Sequence, residues 1–138
     1  STMFKSREKR IEEIPSKEID TLIGEKLKLI GKIVGKGNIR IDGEVEGDID
    51  CKGDITISET GIGNGNINCS NIYISGTVKG NVITRNKLTL FSTGKLKGDI
   101  EVESIIIHDN GFFQGKCTMR KEKEIDNTNE QKVVNKKS

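Results

Sequence analysis

The chain has 138 residues, a formal net charge of +2, 32% hydrophobic residues, 4% aromatic residues and no tryptophan. That length allows one domain with tails, and so few large apolar side chains exclude a thick globular core. Near-balanced charge and few aromatic rings also disfavour a nucleic-acid platform, and no specific nucleic acid is expected as a partner.

Residues 1–20 read as a flexible N-terminal tail with five basic and five acidic groups. Ser1 and Thr2, ahead of Met3, are set aside from fold reasoning. The run from Met3 to Arg10 places an apolar tip, Met3 and Phe4, beside four basic residues, Lys5, Arg7, Lys9 and Arg10, and one acidic residue, Glu8. Burying Phe4 in lipid would contribute about 2–3 kcal/mol. Each Lys or Arg near an anionic surface adds about 1 kcal/mol. One copy binds weakly, whereas an array of copies gains by avidity. Met3, Phe4, Lys5, Arg7, Lys9 and Arg10 are therefore candidate membrane-binding residues. The competing reading is a merely solubilising tail. No secretory or membrane-spanning stretch is present, so the expected location is cytoplasmic, peripheral on the inner face of the cell membrane.

Residues 21–119 carry a cadence that returns every sixteen or seventeen residues. Its openings are Ile39/Ile41, Ile55/Ile57, Ile72/Ile74, Leu88/Leu90 and Ile105/Ile107. Each is followed by two glycines flanking an inner residue, as in Gly43-Glu44-Val45-Glu46-Gly47 and Gly76-Thr77-Val78-Lys79-Gly80. A fixed period of this kind marks a repeat architecture. Ile39, Ile41, Gly43, Val45, Gly47 and Ile49 fall at every second position, with Arg40, Asp42, Glu44, Glu46 and Asp48 between them. That is strand periodicity, which no helix reproduces, and the Ile, Val and Thr content agrees. The glycines mark bends or close backbone approach. Three short faces and three corners per repeat make one turn of a parallel β-helix. An imperfect earlier coil starts at Leu27-Lys28-Leu29. The predicted fold is all-β, a single-stranded right-handed parallel β-helix of about six rungs, its hand being the default for parallel crossovers. An antiparallel sandwich would need Asn-Gly or Asp-Gly turns in register, and only some repeats have them.

The longer steps from Ile57 to Gly61, Leu90 to Gly94 and Ile107 to Gly111 predict loops at one corner on alternate coils. Asp42, Glu44, Glu46, Asp48 and Asp50 are expected on one solvated surface, and Asn64, Asn66, Asn68 and Asn71 are candidates for a polar stack along a corner. Gly63 stands where other coils carry Val, Leu or Phe, which thins the core there. Cys51 and Cys69 each lie two residues past an inward isoleucine, with Thr84, Val102 and Met119 in the matching places. Buried thiols are expected there, without a disulfide.

A solenoid exposes unpaired backbone and core cross-section at both ends unless capped. The last rung contains Phe112 and Phe113, where a cap should be polar. Phe113 falls on the inward register and plugs the column; Phe112 falls outward. At the front, Leu22, Ile23, Leu27 and Leu29 form an apolar lip. Phe112 and Phe113 at one end and Leu22, Ile23, Leu27 and Leu29 at the other are the candidate polymerisation contacts. Two competent ends give an open filament, one self-complementary end a closed dimer. Residues 120–138, nearly all polar or charged, read as a disordered C-terminal tail.

Catalytic chemistry is missing. The single histidine, His108, reads as a solvated turn residue and cannot supply a multi-histidine zinc site. The carboxylates lack an evident pocket to shift a pKa, and there is no phosphate loop. No enzyme activity, metal or cofactor is expected.

The stretch Leu22-Ile23-Gly24, the string Gly37-Asn38-Ile39-Arg40-Ile41-Asp42-Gly43-Glu44-Val45-Glu46-Gly47-Asp48-Ile49 and the later Gly-x-Val-x-Gly-x-Val units resemble the bactofilins over roughly residues 20–119. The resemblance implies a bacterial cytoskeletal protein with a right-handed β-helix core. It implies end-to-end polymerisation without nucleotide and an N-terminal membrane-targeting segment, which Met3–Arg10 is similar to. It further implies scaffolding of cell-wall enzymes or membrane proteins and roles in cell shape. The weighed alternative is a non-polymerising β-helix adaptor that binds a partner protein.

Overall fold

The computed structural model describes residues 18–120 and the backbone of residues 129–134. The candidate membrane-binding residues Met3, Phe4, Lys5, Arg7, Lys9 and Arg10 lie outside the described residues. The described chain winds into six coils, the first five of three short strands each. The first coil holds β1 (Thr21–Ile23), β2 (Lys28–Ile30) and β3 (Ile33–Gly35). The second holds β4 (Ile39–Ile41), β5 (Glu44–Glu46) and β6 (Ile49–Cys51), and the third β7 (Ile55–Ile57), β8 (Ile62–Asn64) and β9 (Ile67–Cys69). The fourth holds β10 (Ile72–Ile74), β11 (Thr77–Lys79) and β12 (Val82–Thr84), and the fifth β13 (Lys87–Leu90), β14 (Lys95–Lys97) and β15 (Ile100–Val102). The last runs through β16 (Ser104–Ile107) into β17 (Phe112–Met119), which turns the final corner without a break. A further strand, β18 (Asn129–Val134), pairs with β17.

Every coil-to-coil pairing is parallel and in register. Ile39, Ile55, Ile72, Leu88 and Ile105 stack in one column, and Ile41, Ile57, Ile74, Leu90 and Ile107 in the next. These are the repeat openings read from the sequence, and the architecture is the parallel β-solenoid of about six rungs that they predicted. Ile41, Ile57, Ile74 and Leu90 are fully buried, each worth about 1.5–3 kcal/mol relative to exposure. A third column runs Leu29, Val45, Gly63, Val78, Leu96, Phe113. At Gly63 a Cβ would make ordinary contact with Ile67 Cδ1 at 3.8 Å, so the thinning expected there is real but shallow. Cys51 and Cys69 are free and buried, as the inward register predicts; so is Cys117.

One glycine column makes the second corner possible. Gly47, Gly65, Gly80, Gly98 and Gly115 all have φ between +146° and +152°, a region nearly closed to side-chain-bearing residues. A Cβ on any of them would also collide with a carbonyl oxygen of the coil before, that of Gly65 in the case of Gly80. The next residue in each coil builds a ladder. Asp48 accepts from the Asn66 N–H (2.9 Å), Asn66 from Asn81 (3.0 Å), Asn81 from Asp99 (3.0 Å) and Asp99 from Lys116 (3.1 Å). A second ladder at the corner between coils links Asp20, Asn38 and Asp54, then Asn71 and Lys87. The asparagines expected in one stack therefore separate: Asn66 joins the first ladder, Asn71 the second, and Asn68 faces outward to accept from Arg85 (3.2 Å). The acidic run is likewise split by the bend at Gly47, with Glu44 and Glu46 on β5 and Asp50 on β6.

Tight turns close the remaining corner. Leu27 donates to Gly24, Gly61 to Ser58, Gly94 to Phe91 and Gly111 to His108, at 2.8–3.1 Å, the i to i+3 pattern of β-turns. They fall on the first, third, fifth and last coils, so the expected alternation breaks at the end. His108 opens the last of these turns, as expected, but is half-buried rather than fully solvated, its ring stacked on Phe91 with centroids 5.1 Å apart and planes at 15°.

Candidate functional site

Among the described residues the first end of the solenoid is open: β1, β2 and β3 pair only with β4, β5 and β6, so one backbone edge of each faces away from the stack. Leu22 and Leu27 are 58% and 50% exposed, Leu29 is half-buried against the core, and Ile23 is buried within it. The predicted lip thus comprises two exposed leucines resting on two inward side chains.

Sequence reasoning missed the larger part of this surface. Ile30 and Val34 are 73% and 72% exposed. In the register, Leu22 lies under Arg40, Ile30 under Glu46 and Val34 under Asp50. Outward positions that are charged on the second coil are therefore apolar on the first. The signal was in the adjacent pairs Leu29-Ile30 and Ile33-Val34: alternation lets only one of each pair face inward. Lys28 keeps a charged contact to the second coil, with Nζ 3.5 Å from Glu46 and 4.0 Å from Glu44.

The other end is more nearly closed. Phe113 is fully buried at the end of its column, as the inward register predicts. Phe112 is half-buried, with Lys97 Nζ 5.8 Å from its ring centroid. β16 pairs only with β13 and leaves its outer edge free of strand partners among the described residues. The outer edge of β17 is different. From Gln114 to Met119 it pairs antiparallel with β18, from Gln114 opposite Val134 to Met119 opposite Asn129.

Two arginines tie coils together, Arg85 across the middle of the solenoid and Arg120 near this end. Arg85 donates to the Cys51 and Lys52 carbonyls at 2.9 and 3.0 Å and to Ser70 Oγ at 3.0 Å. Arg120 donates to the Thr84 and Arg85 carbonyls at 2.6 and 3.2 Å and approaches Glu101 at 3.3 Å. Each guanidinium spans two coils with its planar fork of donors. Burial pushes the thiols of Cys51, Cys69 and Cys117 above the ordinary cysteine range, so they are protonated filling rather than nucleophiles. Among the described residues no three His, Cys, Asp or Glu side chains converge as a metal site.

A family model for bactofilin, described as polymer-forming cytoskeletal, matches residues 21–118. A crystal structure of a phenylalanine-to-arginine mutant of bactofilin from Thermus thermophilus is similar over 63% of this chain and 97% of that one, with 26% identity and a TM-score of 0.61. A cryo-EM reconstruction of double helical filaments of Thermus thermophilus bactofilin is similar over 72% of this chain and 99% of that one, with 24% identity and a TM-score of 0.67. No curated protein matches the sequence.

Proposed function

This chain belongs to the bactofilin family of polymer-forming cytoskeletal proteins, and from that premise we propose that it assembles end to end, without nucleotide, into filaments. The observation that carries this reading is the first coil, with three strand edges unpaired among the described residues and an outward apolar girdle of Leu22, Ile30 and Val34. A monomer gains nothing by leaving such an end bare, and a second copy can satisfy both its backbone and its side chains. The contact proposed joins Leu22, Ile23, Leu27 and Leu29 at the first end and Phe112 and Phe113 at the last. No catalytic step or cofactor is part of this role.

The filament is further proposed to lie on the cytoplasmic face of the membrane and to support cell shape or cell-wall remodelling, with cell-wall enzymes or membrane proteins as partners. The basis is the Met3–Arg10 segment, whose apolar tip and basic residues suit an anionic bilayer. Removing Phe4 should weaken co-sedimentation with anionic liposomes; unchanged binding would dismiss Phe4 as the anchor.

Negative-stain microscopy tests the core of the proposal. The purified protein should form long filaments without added nucleotide, and a Leu22→Asp/Leu27→Asp variant should give short or single particles. Solitary particles from the unaltered protein would instead favour an adaptor that docks another protein on the same end.

A further inference from the structure

β18 is the one strand among the described residues that does not continue the winding. Coil-to-coil pairs run parallel because successive turns advance in one direction; β18 returns antiparallel along the outer edge of β17. It occupies that edge from Gln114 to Met119, which a further coil would need in order to stack. We infer that the outer edge of β17 is a strand-docking site shared by two occupants, the chain's own segment 129–134 in the free protein and the exposed edge of a second copy in the assembly. This inference rests on the end-to-end reading above and deepens it.

Mutual exclusion follows from backbone hydrogen bonding alone. Each N–H and C=O on the outer edge of β17 points to one partner strand. While β18 holds them, an incoming strand cannot pair there. Among the described residues this backbone cover is also incomplete: the β18 register stops short of Phe112 and Phe113, and β16 has no strand partner on its outer side. A second copy can therefore gain a foothold on β16 and the first residues of β17, then displace β18 residue by residue. Loss of six paired positions is offset only when a whole coil edge takes their place. The segment thus favours growth on a formed end over chance pairing, and blunts an edge that would otherwise promote uncontrolled aggregation.

The test compares three proteins, two of them full-length, and one peptide. Gln131→Pro/Val133→Pro removes two backbone donors on the side of β18 that faces β17, and a stop after residue 128 removes the strand. Hydrogen exchange on unassembled protein should show amides within 114–119 protected in the unaltered chain and exchanging at least about tenfold faster in both variants, since an opening worth 1.4 kcal/mol is tenfold. The critical concentration for assembly, read by pelleting, should fall at least threefold in both. A synthetic peptide of residues 129–134, added in excess, should raise it again for the truncated chain. Equal exchange in all three proteins overturns the inference because the strand is not docked. Faster exchange with an unchanged or higher critical concentration also overturns it, while filaments in the same samples leave the end-to-end reading standing. If no protein pellets at any concentration, the end-to-end reading fails and the inference falls with it.

Discussion

Leu29 in the first coil and Phe113 in the last stand in the same interior column, but Leu29 is half-buried and Phe113 is fully buried. The outer surfaces differ in the same sense. The first coil shows Leu22, Ile30 and Val34 to solvent beside three strand edges unpaired among the described residues, whereas the last has most of β17 under β18. One repeat therefore ends in two ways. In a solenoid each coil gains stability only from its neighbours, so the coil with fewer neighbours is the weaker element and the stronger candidate for recruiting one.

The glycine column gives the largest contrast between the ends. Gly115 and Gly31 are equivalent and have φ of +152° and +141°, yet a Cβ on Gly115 would strike the Gly98 carbonyl while one on Gly31 meets nothing within 4 Å. Gly115→Ala should cost more than about 3 kcal/mol, or prevent folding of the last coil, because strain and collision add. Gly31→Ala carries strain alone, about 1–2 kcal/mol. Urea denaturation of both variants measures the difference; equal costs would mean that the first coil is packed against something not yet accounted for.

Truncating the column side chain comes next. Phe113→Ala should destabilise by about 3–5 kcal/mol, and Leu29→Ala by only about 1 kcal/mol, since a half-buried site relaxes into solvent. Thermal unfolding separates the two, and a larger loss at Leu29 would reverse the assignment of the weaker end.

The guanidinium tie sharpens the comparison further. Arg120→Ala leaves the Thr84 and Arg85 carbonyls without that donor and should cost about 1–2 kcal/mol. Hydrogen exchange should then loosen β15 and β17 while leaving β1 to β3 unchanged. Uniform loosening across all six coils would contradict the local role.

Alkaline pH acts on the interior thiols, which the first coil lacks: Gly35 holds the place of Cys51 there. Burial raises the folded-state pKa of Cys69. Stability from the protonated thiol is therefore fully present below the unfolded value of about 8.5 and lost as pH rises above it. Relative to Cys69→Ala, the unaltered protein should hold a constant urea midpoint from pH 7 to 8 and lose about 1–2 kcal/mol by pH 10. A relative gain in that window would have the wrong sign.

Smallest is a gain. Gly63 has no positive φ and room for a methyl group against Ile67, so Gly63→Ala should stabilise by about 0.5–1 kcal/mol. A loss would show that the third coil is tighter than its contacts indicate.

The winding was legible because the repeat writes strand alternation and corner glycines into every coil, so Ile39 through Ile107 fall into columns by spacing alone. The end surfaces were legible only in part. Leu22 and Leu27 were recognisable as a lip, but Ile30 and Val34 follow inward residues directly, and sequence does not say which neighbour faces out until the register is known. β18 gave no signal: its two adjacent valines among polar residues lack alternation, and its pairing depends on where the chain returns in space. Arg85 and Arg120 were likewise hidden, since their partners lie 33 to 36 residues back along the chain and become neighbours only once the coils stack.

Sedimentation velocity across a concentration series, on the unaltered chain and on Ile30→Asp, addresses the role of the bare first coil most directly. The unaltered chain should run as species that lengthen with concentration, and Ile30→Asp as a slow particle near the 15.2 kDa of one chain. A single monomeric boundary for the unaltered chain at every concentration, or undiminished assembly by the variant, would contradict the account.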